Sequence, residues 1–218
     1  MSLIYKTDTA GGWLALWHAT ESEHELRALV SLDDVASCAG IVNPKRRIER
    51  LAWRALLREL LPGAGEVTYT EAGVPRIGSG YIGASHTMVK AAAPDKIAAG
   101  PYAAGDIHAA LIFSEYPCAV DVEPFSRDFS RAATRYLSPE ETALPAARDP
   151  RFNAVAWCAK EVVYKLADTE GVDFARDIRI TAVDLQRGRL EATLFGRPVP
   201  HLEFVAHGEL CIVWSAGG

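Results

Sequence analysis

Long apolar runs are missing from this sequence. No stretch of its 218 residues approaches the roughly 20 apolar positions that a bilayer-spanning helix needs. The first residues carry no basic segment leading into an apolar one, so a cytoplasmic place without membrane contact is the expectation. Basic excess is missing as well: 23 Lys plus Arg face 28 Asp plus Glu, a net charge of −5. Neutralising many phosphates takes a surplus of positive charge, so broad nucleic-acid binding is disfavoured. Cysteine is sparse. Cys38, Cys118, Cys158 and Cys211 form no CxxC pair and have no neighbouring histidine set, which leaves neither a zinc site nor a disulfide framework and points to reduced core thiols. No short tandem repeat is visible.

What is present is ordinary globular composition. Hydrophobic residues make up 49% and charged residues 23% of the chain, enough for one large domain or two halves with their own cores, and unlike a disordered chain. The clearest helix runs from Asn43 to Leu61, where Ile48, Leu51, Ala52, Leu56 and Leu60 recur at helical spacing and Pro62-Gly63 stops the pattern. A second runs from Arg151 to Asp168, and Ser22 to Ser31 reads as a polar helix. Ser138-Pro139-Glu140-Glu141 has the form of a capped helix start.

Strand character appears at Gly12–Thr20, Glu66–Thr70 and Val74–Ile77, with Gly73 supplying a turn. Ala109–Phe113 and Cys118–Val122, separated by Ser114-Glu115-Tyr116-Pro117, predict a hairpin. Asp177–Ala182, Arg189–Leu194, Leu202–Val205 and Leu210–Trp214 predict short strands, with turns at Arg187-Gly188 and His207-Gly208. Met88 to Asp106 has no clean period and reads as a long loop. The class is α+β.

Chemistry concentrates in a few places. In Ala119-Val120-Asp121-Val122-Glu123 two carboxylates stand at i and i+2 of a strand and so share a face. An exposed pair is the plain alternative. The flanking residues are apolar, however, and two like charges in an interior strand need a cation or raised pKa values. A hard ion such as Mg²⁺ takes oxygen ligands and suits them. In the helix Trp157-Cys158-Ala159-Lys160-Glu161-Val162-Val163-Tyr164-Lys165, Glu161 and Lys165 share one edge of the buried stripe, an arrangement that is usually a surface pair. Lys160 projects from a different part of that helix. Lys45, Arg46, Arg47, Arg50 and Arg54 make the first long helix densely positive, suited to phosphate or to a solvated face. Ser85-His86-Thr87 follows a glycine; alone, a histidine there is more often structural than catalytic.

In order along the chain, Arg54, Gly73-Val74-Pro75, Ser85-His86-Thr87, Val120-Asp121-Val122-Glu123 and the Trp157–Lys165 helix resemble the motifs of the 4′-phosphopantetheinyl transferase superfamily. The resemblance covers roughly Lys45 to Leu166, and the length is similar to that of the larger, surfactin-synthetase-activating type. It implies two similar α+β halves forming a pseudo-dimer, here 1–107 and 108–218, and a monomer with its site between the halves. It implies the activity of a holo-[acyl-carrier-protein] synthase: the phosphopantetheine arm of coenzyme A passes to a serine of an apo acyl or peptidyl carrier protein, releasing 3′,5′-adenosine bisphosphate.

By the same resemblance, Asp121, Glu123 and Glu161 bind Mg²⁺, Lys160 and Lys165 hold phosphates, Gly73, Val74 and Pro75 line the adenine, and Arg54, Ser85 and His86 meet the 3′-phosphate. Glu161 is also a candidate general base, and carriers, typically acidic around the modified serine, call for an apolar and basic surface near the site. Ala119 departs from the usual glycine and Val162 from the usual alanine or serine. Met88 to Asp106 is an insertion the common pattern lacks. Two rival readings use the same residues: a coenzyme A or nucleotide-binding regulatory module without turnover, and a metal-dependent phosphohydrolase that gives the arm to water. A purely structural reading leaves the ordered acids and lysines unexplained.

Overall fold

A computed structural model describes residues 2–71, 73–89 and 107–217. The chain opens with two paired strands, β1 (Ser2–Thr9) and β2 (Gly12–Ala19), then two short helices, α1 (Glu23–Ala28) and α2 (Leu32–Ala36), and the long α3 (Pro44–Leu60). Asn43 caps α3 by accepting from the Lys45 amide, and Pro44 takes the first turn, where a missing N–H costs nothing. There follow β3 (Val67–Tyr69), β4 (Pro75–Ile77), β5 (Gly80–Met88) and β6 (Ile107–Ser114). The antiparallel order is β1-β2-β6-β5-β4-β3.

The rest builds a second sheet. It comprises β7 (Cys118–Pro124), α4 (Ala133–Tyr136), α5 (Pro139–Thr142), the long α6 (Phe152–Ala167), β8 (Ile178–Asp184), β9 (Arg189–Leu194), β10 (Arg197–Pro198), β11 (Leu202–His207) and β12 (Leu210–Ala216). The strand order is β10-β9-β11-β12-β7, with β8 also paired to β9. This mixed architecture of two antiparallel sheets agrees with the α+β expectation.

The two-residue alternation of the strands explains the layering. In β2 and β6, Ala15, Trp17, Ala109 and Leu111 turn toward α3 and join Leu51, Ala52 and Leu56 in one core. Their neighbours Leu14, Leu16, Ala110 and Ile112 turn the other way and meet Val120, Val122, Ile212 and Trp214 of the second sheet. The far face of that second sheet packs Cys211 and Val213 against Val155, Ala159 and Val162 of α6. Each long helix thus covers the outer face of one sheet while the inner faces meet. Full burial of each such aliphatic side chain is worth about 1.5–3 kcal/mol.

The predicted hairpin does not form. β6 is a central strand of the first sheet, with β2 on one edge and β5 on the other, so it offers no edge to β7. β7 instead pairs with β12 and ends the second sheet. Ser114 makes the exit: its hydroxyl donates to the Ala10 carbonyl at 2.8 Å and accepts from the Tyr116 amide at 3.0 Å. The chain therefore passes from sheet to sheet at Glu115–Pro117. Ser85-His86-Thr87 lies within β5, paired with β6. Of the expected loop from Met88 to Asp106, Met88 closes β5; residues 90–106 lie outside the described residues.

Where β5 crosses β7 the backbones nearly touch at Gly83. A Cβ there would stand 2.8 Å from Ala119 Cα and 3.1 Å from the Val120 nitrogen, closer than atoms tolerate. Gly83→Val is expected to cost about 1–3 kcal/mol of stability by overpacking, read as a lower unfolding midpoint in urea. Gly65→Ala, at a glycine with nothing within 4 Å, serves as the near-neutral control. A wild-type midpoint for Gly83→Val would contradict the close crossing.

Candidate active site

β7 ends its sheet, so the backbone groups on its outer edge have no strand partner. Two side chains supply them. The Ser85 hydroxyl on β5 accepts from the Val122 amide at 3.2 Å, and the Lys165 ammonium on α6 donates to the Val120 carbonyl at 2.8 Å. The same two groups hold the intervening carboxylate: Ser85 Oγ and Lys165 Nζ each donate to Asp121 Oδ1 at 2.8 Å. Two residues on, Thr87 Oγ1 donates to Glu123 Oε2 at 3.0 Å. The period of β5 therefore matches that of β7, hydroxyl against carboxylate.

Asp121 is 6% exposed, and its second oxygen, Oδ2, is buried with no hydrogen-bond partner. Glu123 forms an ion pair with Arg127, whose guanidinium lies 5.1 Å from the Phe129 ring and 5.5 Å from the Trp157 ring. Trp157 is itself held edge-on by Tyr136 at 5.2 Å. Burial pushes the Glu123 carboxyl up to about 7, against the attraction of Arg127 and with added repulsion from Asp121. Burial and the Asp121 charge likewise push Glu161 up, while Lys165 and Arg127 oppose the rise. The junction thus disfavours the charge of Glu123 and Glu161.

Cavities open on either side. One, of about 320 Å³, lies between the Gly73-Val74-Pro75 turn and Tyr164 and Lys165 of α6. Gly73 turns there with φ 85°, as expected of it. The other, of about 500 Å³, is lined by Glu123, Thr87, His86, Lys45 and Arg127. His86 also faces a third cavity of about 790 Å³ with Arg46, Arg50 and Trp53. Partial burial pushes its imidazole down, and Glu49, 3.7 Å away, opposes that.

The structure brings Gly73, Val74, Pro75, Ser85, His86, Asp121, Glu123, Glu161 and Lys165 to this junction and its cavities. It does not bring Arg54 or Lys160. Arg54 is 2% exposed; it donates to Asp34 Oδ1 at 2.6 Å and to the Tyr69 hydroxyl at 2.5 Å, with its guanidinium 4.5 Å from the Trp53 ring. Lys160 is fully buried. Its ammonium donates to Glu141 and to the carbonyls of Phe174 and Ile178, all within 2.9 Å. An ammonium has three protons, and these acceptors use them. Burial pushes Lys160 down, with Glu141 resisting. Lys160 thus has no proton left for a phosphate, while Arg54 keeps one buried donor, Nε, without a hydrogen-bond partner.

The two displaced cations play one role. Asp34 and Glu141 are each the third residue of a capping box, with Ser31 and with Ser138, at the start of the short helices α2 and α5. Each acid then pairs with a buried cation on the following long helix. Residues not singled out in advance also enter the site. Thr87 was legible, since it repeats the spacing of Ser85 that mirrors Asp121 and Glu123; Arg127 was not, because a turn after β7 returns it to Glu123.

Among the described residues, no three His, Cys, Asp or Glu side chains converge as a metal-ligand group. Their present partners are Ser85, Thr87, Lys165 and Arg127. The chemistry of the donors is nonetheless of the kind a hard divalent ion takes: they are carboxylate oxygens, and one of them, Asp121 Oδ2, is buried without a hydrogen-bond partner.

Two outcomes are expected. Because the folded pKa of Glu123 is raised from 4.5 to about 7, its favourable contribution is complete below pH 4.5 and lost as pH rises through about 7. In EDTA the unfolding midpoint should fall across that window, and Glu123→Gln should flatten the fall; an unchanged slope would contradict the buried, crowded carboxyl. Lys160→Met leaves Glu141 charged and unpaired in the interior and is expected to cost about 3–5 kcal/mol of stability in denaturant titration, a loss that a mobile phosphate ligand would not produce.

Residues 117–213 match the family model of the 4′-phosphopantetheinyl transferase superfamily, a stretch that contains β7, α6 and the acids and lysine of the junction. No curated protein matches the chain significantly. The segment that carries β7 and α6 is therefore similar to a 4′-phosphopantetheinyl transferase superfamily domain.

Proposed function

We propose that the protein is a holo-[acyl-carrier-protein] synthase, which moves the 4′-phosphopantetheine arm of coenzyme A onto a serine of an apo acyl or peptidyl carrier protein and releases 3′,5′-adenosine bisphosphate. The observation that carries this reading is the junction where Ser85 and Thr87 of one sheet hold Asp121 and Glu123 of the other, beside Lys165 and between two cavities. The repeated pairing of a capping-box acid with a long-helix cation supports two similar halves arranged as a pseudo-dimer. On this reading the chain is of the larger, surfactin-synthetase-activating type and acts as a monomer in the cytoplasm.

Each residue has a proposed task. Asp121, Glu123 and Glu161 would hold Mg²⁺, which when bound supplies positive charge to a pyrophosphate. Lys165, partly exposed beside the smaller cavity, neutralises phosphate while its bonds to Val120 and Asp121 fix its position. Gly73, Val74 and Pro75 offer backbone to the adenine. His86, with Arg46 and Arg50 in place of Arg54, forms the anion-binding end for the 3′-phosphate. Ser85 aligns Asp121 instead of touching phosphate. Glu161, its carboxyl raised by burial, takes the proton of the carrier serine, whose oxygen attacks the β-phosphate as the bond to the adenosine bisphosphate breaks.

Apo acyl carrier protein incubated with this protein, coenzyme A and Mg²⁺ should gain the mass of one phosphopantetheine arm. EDTA should abolish the gain and Asp121→Ala should reduce its rate at least about 100-fold, as read by intact-protein mass spectrometry. Coenzyme A binding without transfer to several carriers would favour the regulatory module, and release of the free arm to water would favour the phosphohydrolase.

A further inference from the structure

Besides Ser85 and Thr87, a further side-chain bond crosses between the sheets near the site. Thr70 Oγ1 donates to Asp168 Oδ1 at 2.7 Å. Thr70 begins the turn that presents Gly73-Val74-Pro75: its amide donates to the Val74 carbonyl at 2.9 Å, its carbonyl accepts from the Gly73 amide at 3.0 Å, and its hydroxyl accepts from the Val74 amide at 3.1 Å. The single proton of that hydroxyl goes to Asp168, so one hydroxyl both closes the turn and ties it to the other half.

Asp168 ends α6 in the left-handed region, with φ 44° and ψ 38°. That conformation disfavours side chains other than glycine, with asparagine and aspartate among the exceptions. Asp168 finds Thr70. Both Asp168 and Lys165, three residues earlier on α6, line the cavity of about 320 Å³ whose opposite wall is the turn. The bond therefore spans that cavity's rim.

We infer that Thr70 and Asp168 are positioning residues, which set the distance between the Gly73–Pro75 turn and Lys165 and so the fit of the nucleotide end of coenzyme A. Neither touches the reacting phosphate. The inference rests on the transfer reading above for the ligand, and on the Thr70–Asp168 geometry for the effect. Both side chains are at the surface, so their loss leaves the two cores intact.

The test measures coenzyme A affinity by calorimetry and the transfer reaction by its kcat and KM. Thr70→Val and Asp168→Gly, the second keeping the left-handed end without the carboxylate, should each weaken coenzyme A binding and raise its KM about three- to tenfold, the range of one hydrogen bond. The kcat should stay within about twofold, since the acids and Lys165 are untouched. Thr70→Ser and Asp168→Asn, which keep donor and acceptor, should restore wild-type affinity, and the double variant Thr70→Val/Asp168→Gly should be no weaker than Thr70→Val alone. Additive losses, an unchanged KM, or a fall in kcat alone would overturn the inference while leaving the transfer reading standing. Wild-type protein that binds no coenzyme A would overturn both.

Discussion

The hydroxyl of Ser85 joins the two halves and the site in one contact. It can do so because Gly83, two residues earlier on the same strand, lets β5 lie against β7 with no side chain between them. At that separation a serine reaches both the backbone amide of Val122 and the carboxylate of Asp121. A longer side chain would push the strands apart, and an apolar one would leave an edge amide without a partner. The carboxylates therefore take their position from the meeting of the sheets.

That meeting carries an electrostatic cost. Glu123 and Glu161 lie in a partly dry junction where burial and the neighbouring charge of Asp121 disfavour their ionised forms. Lys165 and Arg127 offset part of it, but Asp121 Oδ2 has no partner. A fold selected for stability alone would neutralise such a cluster. Crowded, partly buried carboxylates of this kind are common at functional sites, and a cation drawn to oxygen would relieve the imbalance.

The scaffold around the junction is kept rigid by a different kind of charge. Arg54 with Asp34 and Lys160 with Glu141 are buried ion pairs whose hydrogen bonds are largely satisfied, each anchoring a long helix to a short capped one. In both, the acid serves as helix cap and as counter-ion, and this double use makes burial of the cation tolerable. With α3 and α6 held in this way, the side chains they carry toward the seam keep their aim.

Much of this was legible in the residues themselves. Helical spacing marked α3 and α6, the capped start at Ser138 stood out, and period-two placement put Asp121 and Glu123 on one face. Such properties are local: they follow from the repeat of the backbone and hold whatever the neighbours are. Partnership between distant residues was not legible. A strand's pattern says which side is apolar but not which strand lies beside it, so β6 and β7 read as a hairpin although they belong to different sheets. A cation on a helix reads the same whether it meets a ligand or a buried acid, so Arg54 and Lys160 were expected in the site and are found in the cores. The sequence by itself determined the elements and the shared face of the acids. Which hydroxyls hold those acids, which cations remain free, and where cavities open were decided by tertiary packing, because each depends on contacts between residues far apart in the chain.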